Sequence, residues 1–343
     1  MPVELLDDRG QWDEFVETSP DSMLFHRWDF LKIIEKHSSY RLLPLGVRRG
    51  RELVCVFPLF FRSFKGLKTV FSPPPGTCVP YLGPAFSPGY HHLRQKRKES
   101  YLNDAFQEVS GELKKLVPNY ISVSTVPGFD DARPFMWAGY DLGINYTYYL
   151  DLGRPLEKIL EGFDPDCKKK IRAGDKYHLS IDQTLDVETF YAITRDRFAS
   201  RGMGSPLLSP QYLRDILDAF PDNVQMYFAY AGDELVSLAL NCAYKESLMF
   251  WLGEINIRKD IPGNELMKWE FIRQAKQQGL REVELEGAGL KHLCLFKSKF
   301  NPALRQTFVA SKKDPLGAAA EWAYKNVLKK NFTAGLKSVI PLY

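Results

Sequence analysis

The stretch from residue 248 to 300 limits the possible folds more than any other. Leu248-Met249-Phe250-Trp251-Leu252-Gly253 is an apolar run of strand length. Turn chemistry follows at Arg258-Lys259-Asp260-Ile261-Pro262-Gly263-Asn264. Met267, Phe271 and Ala275 then recur at i, i+4 and i+8, and Leu266, Trp269 and Ile272 widen the stripe. This predicts an amphipathic helix that Gly279 ends. Glu282-Val283-Glu284-Leu285-Glu286 alternates strictly, which predicts a strand with one carboxylate face. Gly287-Ala288-Gly289 frees the backbone to turn, and Phe296-Lys297-Ser298-Lys299-Phe300 closes the unit. Strand, loop, helix and strand in so short a stretch place the chain in the mixed α/β (α+β) class.

The rest of the chain carries that plan twice. In the first part, Phe25–Lys36 reads as a helix with Phe30, Ile33 and Ile34 on one face. Two strands, Tyr40–Val47 and Leu53–Phe61, flank the turn Arg48-Arg49-Gly50-Arg51. A Pro/Gly-rich loop runs from Ser72 to Pro84, and His91–Lys98 is strongly basic. In the second part, Asp164-Pro165 reads as the cap and first residue of a helix. Phe190–Arg201 is helical, and Ser209-Pro210 caps a helix with Leu213, Ile216, Leu217 and Phe220 inward. Gly50-Arg51-Glu52-Leu53-Val54 and Gly232-Asp233-Glu234-Leu235-Val236 sit in equivalent hairpins. We read an internal duplication; two unrelated hairpins with ordinary turn residues is the alternative. The expected domains are 1–150 and 151–313, with a terminal helix in 314–343 (Leu316–Lys329) packed on the first.

At 343 residues, 45% hydrophobic and 13% aromatic, the chain can bury real cores, so disorder is excluded. The net charge of +4 does not mark a dedicated DNA binder. No apolar run is long enough to span a membrane, and the first ten residues lack the apolar core of a signal peptide. Five scattered cysteines read as reduced core thiols, so a cytoplasmic location is expected. The six histidines show no metal spacing, and no metal is expected.

Four groups of residues are candidates for chemistry. The Arg258–Asn264 loop enters a helix whose amides can hold a phosphate, with Arg258, Gly263 and Asn264 as donor contacts; a plain helix start is the alternative. Lys168, Arg172 and Lys176, spaced i, i+4, i+8, line one helix face beside Arg201, either as a clamp for a polyphosphate or as a solvated surface. Glu284 and Glu286 share a strand face, where Glu286 can take a proton from an attacking ammonium or simply meet water. Lys297, held beside Phe296, can neutralise a donor phosphate or the oxyanion of acyl transfer, or be a surface lysine with a buried stem.

Together these residues resemble a family. Trp251-Leu252-Gly253, Pro262–Trp269, Ala275, Gly279 and Phe296-Lys297 to Phe300-Asn301 are similar to the C-terminal signature of Fem-type aminoacyltransferases, and equally to that of the BioF2-like or CelD-like acetyltransferases. The Trp28 helix, Leu53–Phe61, Tyr81-Leu82-Gly83-Pro84, the basic helix Lys168–Lys176 and Thr194, Arg201 and Gly202 agree. The resemblance implies two tandem acetyltransferase-fold (GNAT-like) units. It implies acyl transfer to an amine without a covalent intermediate, in cell-wall or surface-polymer synthesis. Lys297 and Glu286 are the catalytic expectations. Phe296, Arg258, Gly263, Asn264 and Trp251 are expected at the donor, and Lys168, Arg172 and Arg201 at the acceptor or its phosphates. No tightly bound cofactor is expected; acyl-CoA or aminoacyl-tRNA is the co-substrate. The amine acceptor is expected to be a nucleotide- or lipid-linked precursor, on a protein peripheral to the membrane. The helical insertion that some members use for tRNA is missing, which keeps acyl-CoA open. A non-catalytic module binding RNA or an anionic glycan or lipid precursor is the rival reading.

Overall fold

The computed structural model describes residues 1–200, 204–258, 260–324 and 326. Thirteen strands occur among them: Val3–Leu5 (β1), Arg41–Arg49 (β2), Glu52–Phe64 (β3), Leu67–Ser72 (β4), Ala85–Phe86 (β5), Tyr120–Ser124 (β6), Asp141–Asp151 (β7), Leu179–Gln183 (β8), Val224–Ala231 (β9), Glu234–Tyr244 (β10), Ser247–Asn256 (β11), Glu282–Glu284 (β12) and Ala303–Lys313 (β13). The chain forms two compact units. The first holds Met1–Ile144, Phe198–Tyr212 and the described part of Thr307–Ile340; the second holds Asn145–Arg197 and Leu213–Gln306. The partition lies inside β7 and β13, whereas the sequence expectation set junctions at 150/151 and 313/314.

In the first unit β1, β2, β3 and β4 pair antiparallel in succession. β4 then runs parallel to β6, from Thr69↔Tyr120 to Ser72↔Val123, and the long Gln95–Leu116 helix makes the crossover that a parallel pair requires. Leu102, Ala105, Phe106, Val109 and Leu113 are the buried stripe of that helix. The helix expected at Phe25–Lys36 is split. A 3-10 turn at Leu24–His26 comes first, where the Met23 amide donates to His26 Nδ1 at 3.1 Å. The α-helix proper is Trp28–Ser38, which buries Phe30, Leu31 and Ile34.

The second unit repeats this order. β8, β9, β10 and β11 pair antiparallel in succession, and β11 runs parallel to β12 through the Gly263–Gln277 helix. Two helices, Val187–Ala199 and Pro210–Ala219, separate its first two strands, as Arg9–Thr18 and Trp28–Ser38 do in the first unit. Asp164 caps its helix at Asp166 and Pro165 opens it, as the dipeptide predicts. The two matched hairpins also turn alike. Arg49 pairs with Glu52 across Gly50 at φ 60°, and Ala231 pairs with Glu234 across Gly232 at φ 61°. Glycine with positive φ at the first loop position is the pattern of a type II′ hairpin. Matching strand order, crossover and turn favour duplication over coincidence.

The helix after β13 spans Pro315–Ala323; of its expected continuation to Lys329, residues 325 and 327–329 lie outside the described residues. Asp314 caps it by accepting from the Gly317 amide at 2.7 Å, and Asn119 Nδ2 donates to Asp314 at 2.8 Å. A Cβ on Gly317 would lie 1.9 Å from the Asn119 carbonyl oxygen. Gly317→Ala is therefore expected to lower stability by about 1–3 kcal/mol, read as a fall in urea midpoint at unchanged m-value. An unchanged midpoint would mean that the helix can lift off Asn119 at no cost.

Candidate functional site

β11 and β12 part company early. Their parallel register runs only from Ser247↔Glu282 to Met249↔Glu284, yet β11 continues to Asn256. At the same level β11 is bulged. Leu252 faces Leu240 and Met249 faces Cys242, so Phe250 and Trp251 together oppose Asn241. Beyond Met249 the two strands no longer pair with each other, so they diverge at the level of the bulge. The chain leaving β12 bends sharply: Glu286 has φ 52° and Gly287 φ 44°. A left-handed glutamate is uncommon, and such backbone gathers at functional sites.

One short helix, Lys291–Lys297, holds this bend. Lys297 Nζ donates to the Glu286 carbonyl and, at 3.1 Å, to the Gly287 carbonyl. Cys294 Sγ donates to the Ala288 carbonyl at 3.2 Å. Three successive carbonyls are thus gripped from one helix face, since residues three apart are neighbours there. Burial pushes the Glu286 carboxyl above the usual range, while the charges of Lys297 and Lys268 pull it back. Lys268 itself is 1% exposed, with Nζ 4.0 Å from the centre of the Phe250 ring, at the bulge.

Glu284 is fully buried. It accepts from Thr147 Oγ1 at 2.7 Å and from Tyr149 OH at 2.8 Å. Burial and the Glu284 charge push the Tyr149 phenol well up, so it stays protonated as a donor. The Arg305 guanidinium lies 3.8 Å over the Tyr149 ring and forks onto both oxygens of Glu282 at 3.0 and 2.5 Å. This corrects the expectation that Glu284 and Glu286 share one strand face. The strand stops at Glu284, both Glu282 and Glu284 are engaged, and Glu286 leaves their face because its backbone turns left-handed.

The other expected residues fall as follows. Trp251 is 1% exposed, in the bulge. Phe296 is half-buried and packs edge-on against Phe300, which meets Phe163. Gly263 opens its helix where a Cβ would lie 3.1 Å from Ser237 Cβ, and Asn264 Oδ1 accepts from Ser237 Oγ at 3.1 Å. Arg258 is already paired with Glu234 and with Asp260 at 2.7 Å. Lys168 Nζ donates to the Glu161 carbonyl at 3.0 Å, and Arg172 is exposed. Arg201 lies outside the described residues. The single basic face through Lys176 is not formed. The helix ends at Arg172, and Lys176 sits in a separate 3-10 turn over the Tyr177 ring. That turn packs closely, since a Cβ on Gly174 would lie 2.7 Å from Leu266. From the same helix Lys170 reaches Glu265, which is 6% exposed in the first turn of the Gly263–Gln277 helix, at 3.0 Å.

The corresponding place in the first unit is filled. Past Ser72↔Val123, Leu82 bridges Thr125, and its amide donates to the Ser124 carbonyl at 3.0 Å. Gly83, at φ 76°, lies so close that a Cβ would be 3.3 Å from the Ser124 oxygen. Ser72 Oγ accepts from the Gly83 amide at 2.9 Å and pins the loop. The Pro/Gly-rich segment thus closes in one copy the gap that stands between β11 and β12 in the other.

Residues 166–292 match the acetyltransferase (GNAT) domain family. Among curated proteins none matches the chain. Its fold is similar to that of FemX (TM-score 0.70, 13% identity, 94% of this chain and 100% of that one). It is also similar to the C-terminal domain of a putative lysylphosphatidylglycerol synthetase from Agrobacterium fabrum (0.56, 10%, 93% and 96%). A tandem GNAT protein from the clavulanic acid biosynthesis pathway is similar as well (0.52, 13%, 92% and 98%). Residues 166–292 thus carry an acetyltransferase-type (GNAT) domain, and the chain as a whole shares the fold of FemX and of a tandem GNAT protein.

Proposed function

We propose that the second unit forms an amide by direct attack of an acceptor amine on an activated acyl carbonyl. The observation that carries this reading is the opened, bulged β11 edge with Glu286 at its mouth. The acyl carbonyl lies along β11 where its ladder to β12 has ended, and β11 amides stabilise the oxyanion. The amine nitrogen bonds to the carbonyl carbon, its proton passes to Glu286, and the bond from carbon to the donor's sulfur or oxygen breaks. The proton then leaves Glu286 for the departing thiolate or alkoxide. Lys297 acts by fixing the bend that aims Glu286. The donor is acyl-CoA or aminoacyl-tRNA, and the acceptor is an amine on a nucleotide- or lipid-linked precursor of a cell wall or surface polymer. No tightly bound cofactor takes part in this scheme.

The neutralised loop bears on the donor. Arg258 has two acidic partners, and Glu265 already places a carboxylate in the first helical turn. Both weaken the Arg258–Asn264 loop as a diphosphate cradle, so donor phosphates are assigned to exposed Arg172 and to Lys168. This observation also supports the rival reading, a non-catalytic module that binds an anionic precursor. Incubation with acetyl-CoA, or with a mixed aminoacyl-tRNA pool, plus amine-bearing nucleotide sugars separates the two. A mass increment of one acyl group on the acceptor is expected. Tight binding without any acylated product would favour the module.

A further inference from the structure

The first unit carries a second feature, away from β11. The Gln95–Leu116 helix begins at its Arg94 cap, and its first turn, Gln95-Lys96-Arg97-Lys98, has no acidic residue. Cations there oppose the positive end of the helix dipole, so helix stability does not explain them. Arg94, Arg97, Lys98 and Tyr101 fall at i, i+3, i+4 and i+7, along one face. The β2–β3 hairpin joins that face: Arg49 hydrogen-bonds to the Tyr101 hydroxyl and stacks 4.7 Å from its ring centre. Lys98 lies 5.9 Å over Tyr90. Arg49, Arg51, Arg94, Lys96 and Arg97 are exposed. On the helix the nearest acid in sequence, Glu99, is turned to Arg133 at 2.7 Å and Gln95 at 3.0 Å; on the hairpin Glu52 follows Arg51 and forms no ion pair with Arg49 or Arg51 among the described residues. Among the described residues none of these six cations has an ion-pair partner, whereas Arg9, Arg27, Arg48, Arg133, Arg258 and Arg305 all do.

We propose that this patch docks the protein on an anionic phospholipid surface. A group of four to eight unneutralised Lys and Arg residues on an amphipathic helix is sufficient for phosphate headgroups. A single-stranded nucleic acid would need open aromatic faces for its bases, and here cations already cover both rings, Tyr90 and Tyr101. Docking of this kind would hold the enzyme next to an acceptor embedded in the same membrane. It does not depend on the assignment of Glu286.

The test uses the full chain and sedimentation with vesicles of phosphatidylcholine, with and without about one-quarter phosphatidylglycerol. Each cation near such a surface contributes about fivefold to binding. The triple variant Arg94→Gln, Lys96→Gln, Arg97→Gln is therefore expected to lose about 100-fold in partitioning to the anionic vesicles. The same loss is expected for the wild type at about 0.5 M salt, where charges are screened within a few ångströms. The double variant Lys96→Gln, Arg97→Gln, expected to lose about 25-fold, serves if the triple one melts early. Equal binding of wild type and variants would overturn the proposal, as would equal binding to both vesicle types. Capture of poly(U) RNA in place of vesicles would overturn it too and assign the patch to nucleic acid.

Discussion

Glu286→Gln is expected to lower kcat by about 10²–10⁴-fold, the usual contribution of a positioned general base. The substitution keeps the size of the side chain and removes only the ability to take a proton. In the wild type, the rate should rise with pH as the carboxyl loses its proton, with a midpoint above the ordinary glutamate value of about 4.3. Lys268→Met removes a cation that favours the carboxylate, so it should move that midpoint higher still. Stability should respond in the opposite sense to activity. A carboxyl raised in the folded state binds its proton more tightly there than in the unfolded chain. Its contribution therefore favours folding below the unfolded value and is lost as pH rises through the folded one. Glu286→Gln removes that penalty, so at neutral pH the variant should be at least as stable as the wild type. A variant both inactive and unfolded would point to a structural glutamate.

Lys297→Ala is expected to cost both stability and rate, and the pair of effects separates two roles. If Lys297 met only the oxyanion, its loss would lower kcat by about 10²–10³-fold and leave the melt unchanged. The structure gives it two backbone carbonyls to hold, with the residue only 9% exposed. Removing a charged donor from two half-buried acceptors should lower unfolding free energy by about 1–3 kcal/mol. The released bend would also let Glu286 swing, with a further fall in kcat. Thermal melts beside steady-state rates check this. A full loss of rate with an unmoved melting temperature would return Lys297 to the oxyanion.

Much of the scaffold is legible in the sequence, because local rules decide it. Gly50 and Gly232 announce matched hairpins, Asp164-Pro165 announces a helix start, and Met267, Phe271 and Ala275 announce the buried stripe. The site is less legible, because distant partners create it. Glu284 reads like a surface strand residue, and its burial depends on hydroxyls 137 and 135 residues away. Lys268 looks like the polar side of an amphipathic helix until Phe250 is placed beneath it. No pattern marks the bulge at Phe250-Trp251, since register is a property of two strands. The left-handed turn at Glu286 defeats a strict alternation that otherwise predicts strand. A cue was available: the Gly287-Ala288-Gly289 run right after it implies that the chain bends there. Arg258 shows the reverse error. It has the chemistry of a phosphate ligand, yet it is taken by acids, one of them Glu234, which spacing alone does not connect to it.

The most direct test is a crystal structure with a non-transferable acyl donor, such as a thioether analogue of acetyl-CoA or an amide-linked aminoacyl-adenosine. The acyl group is expected along β11 at Phe250-Trp251, within hydrogen-bond reach of β11 amides and beside Glu286. Density for the acyl group in the first unit, alongside Leu82 and Gly83, or in neither place at saturating analogue, would contradict the account.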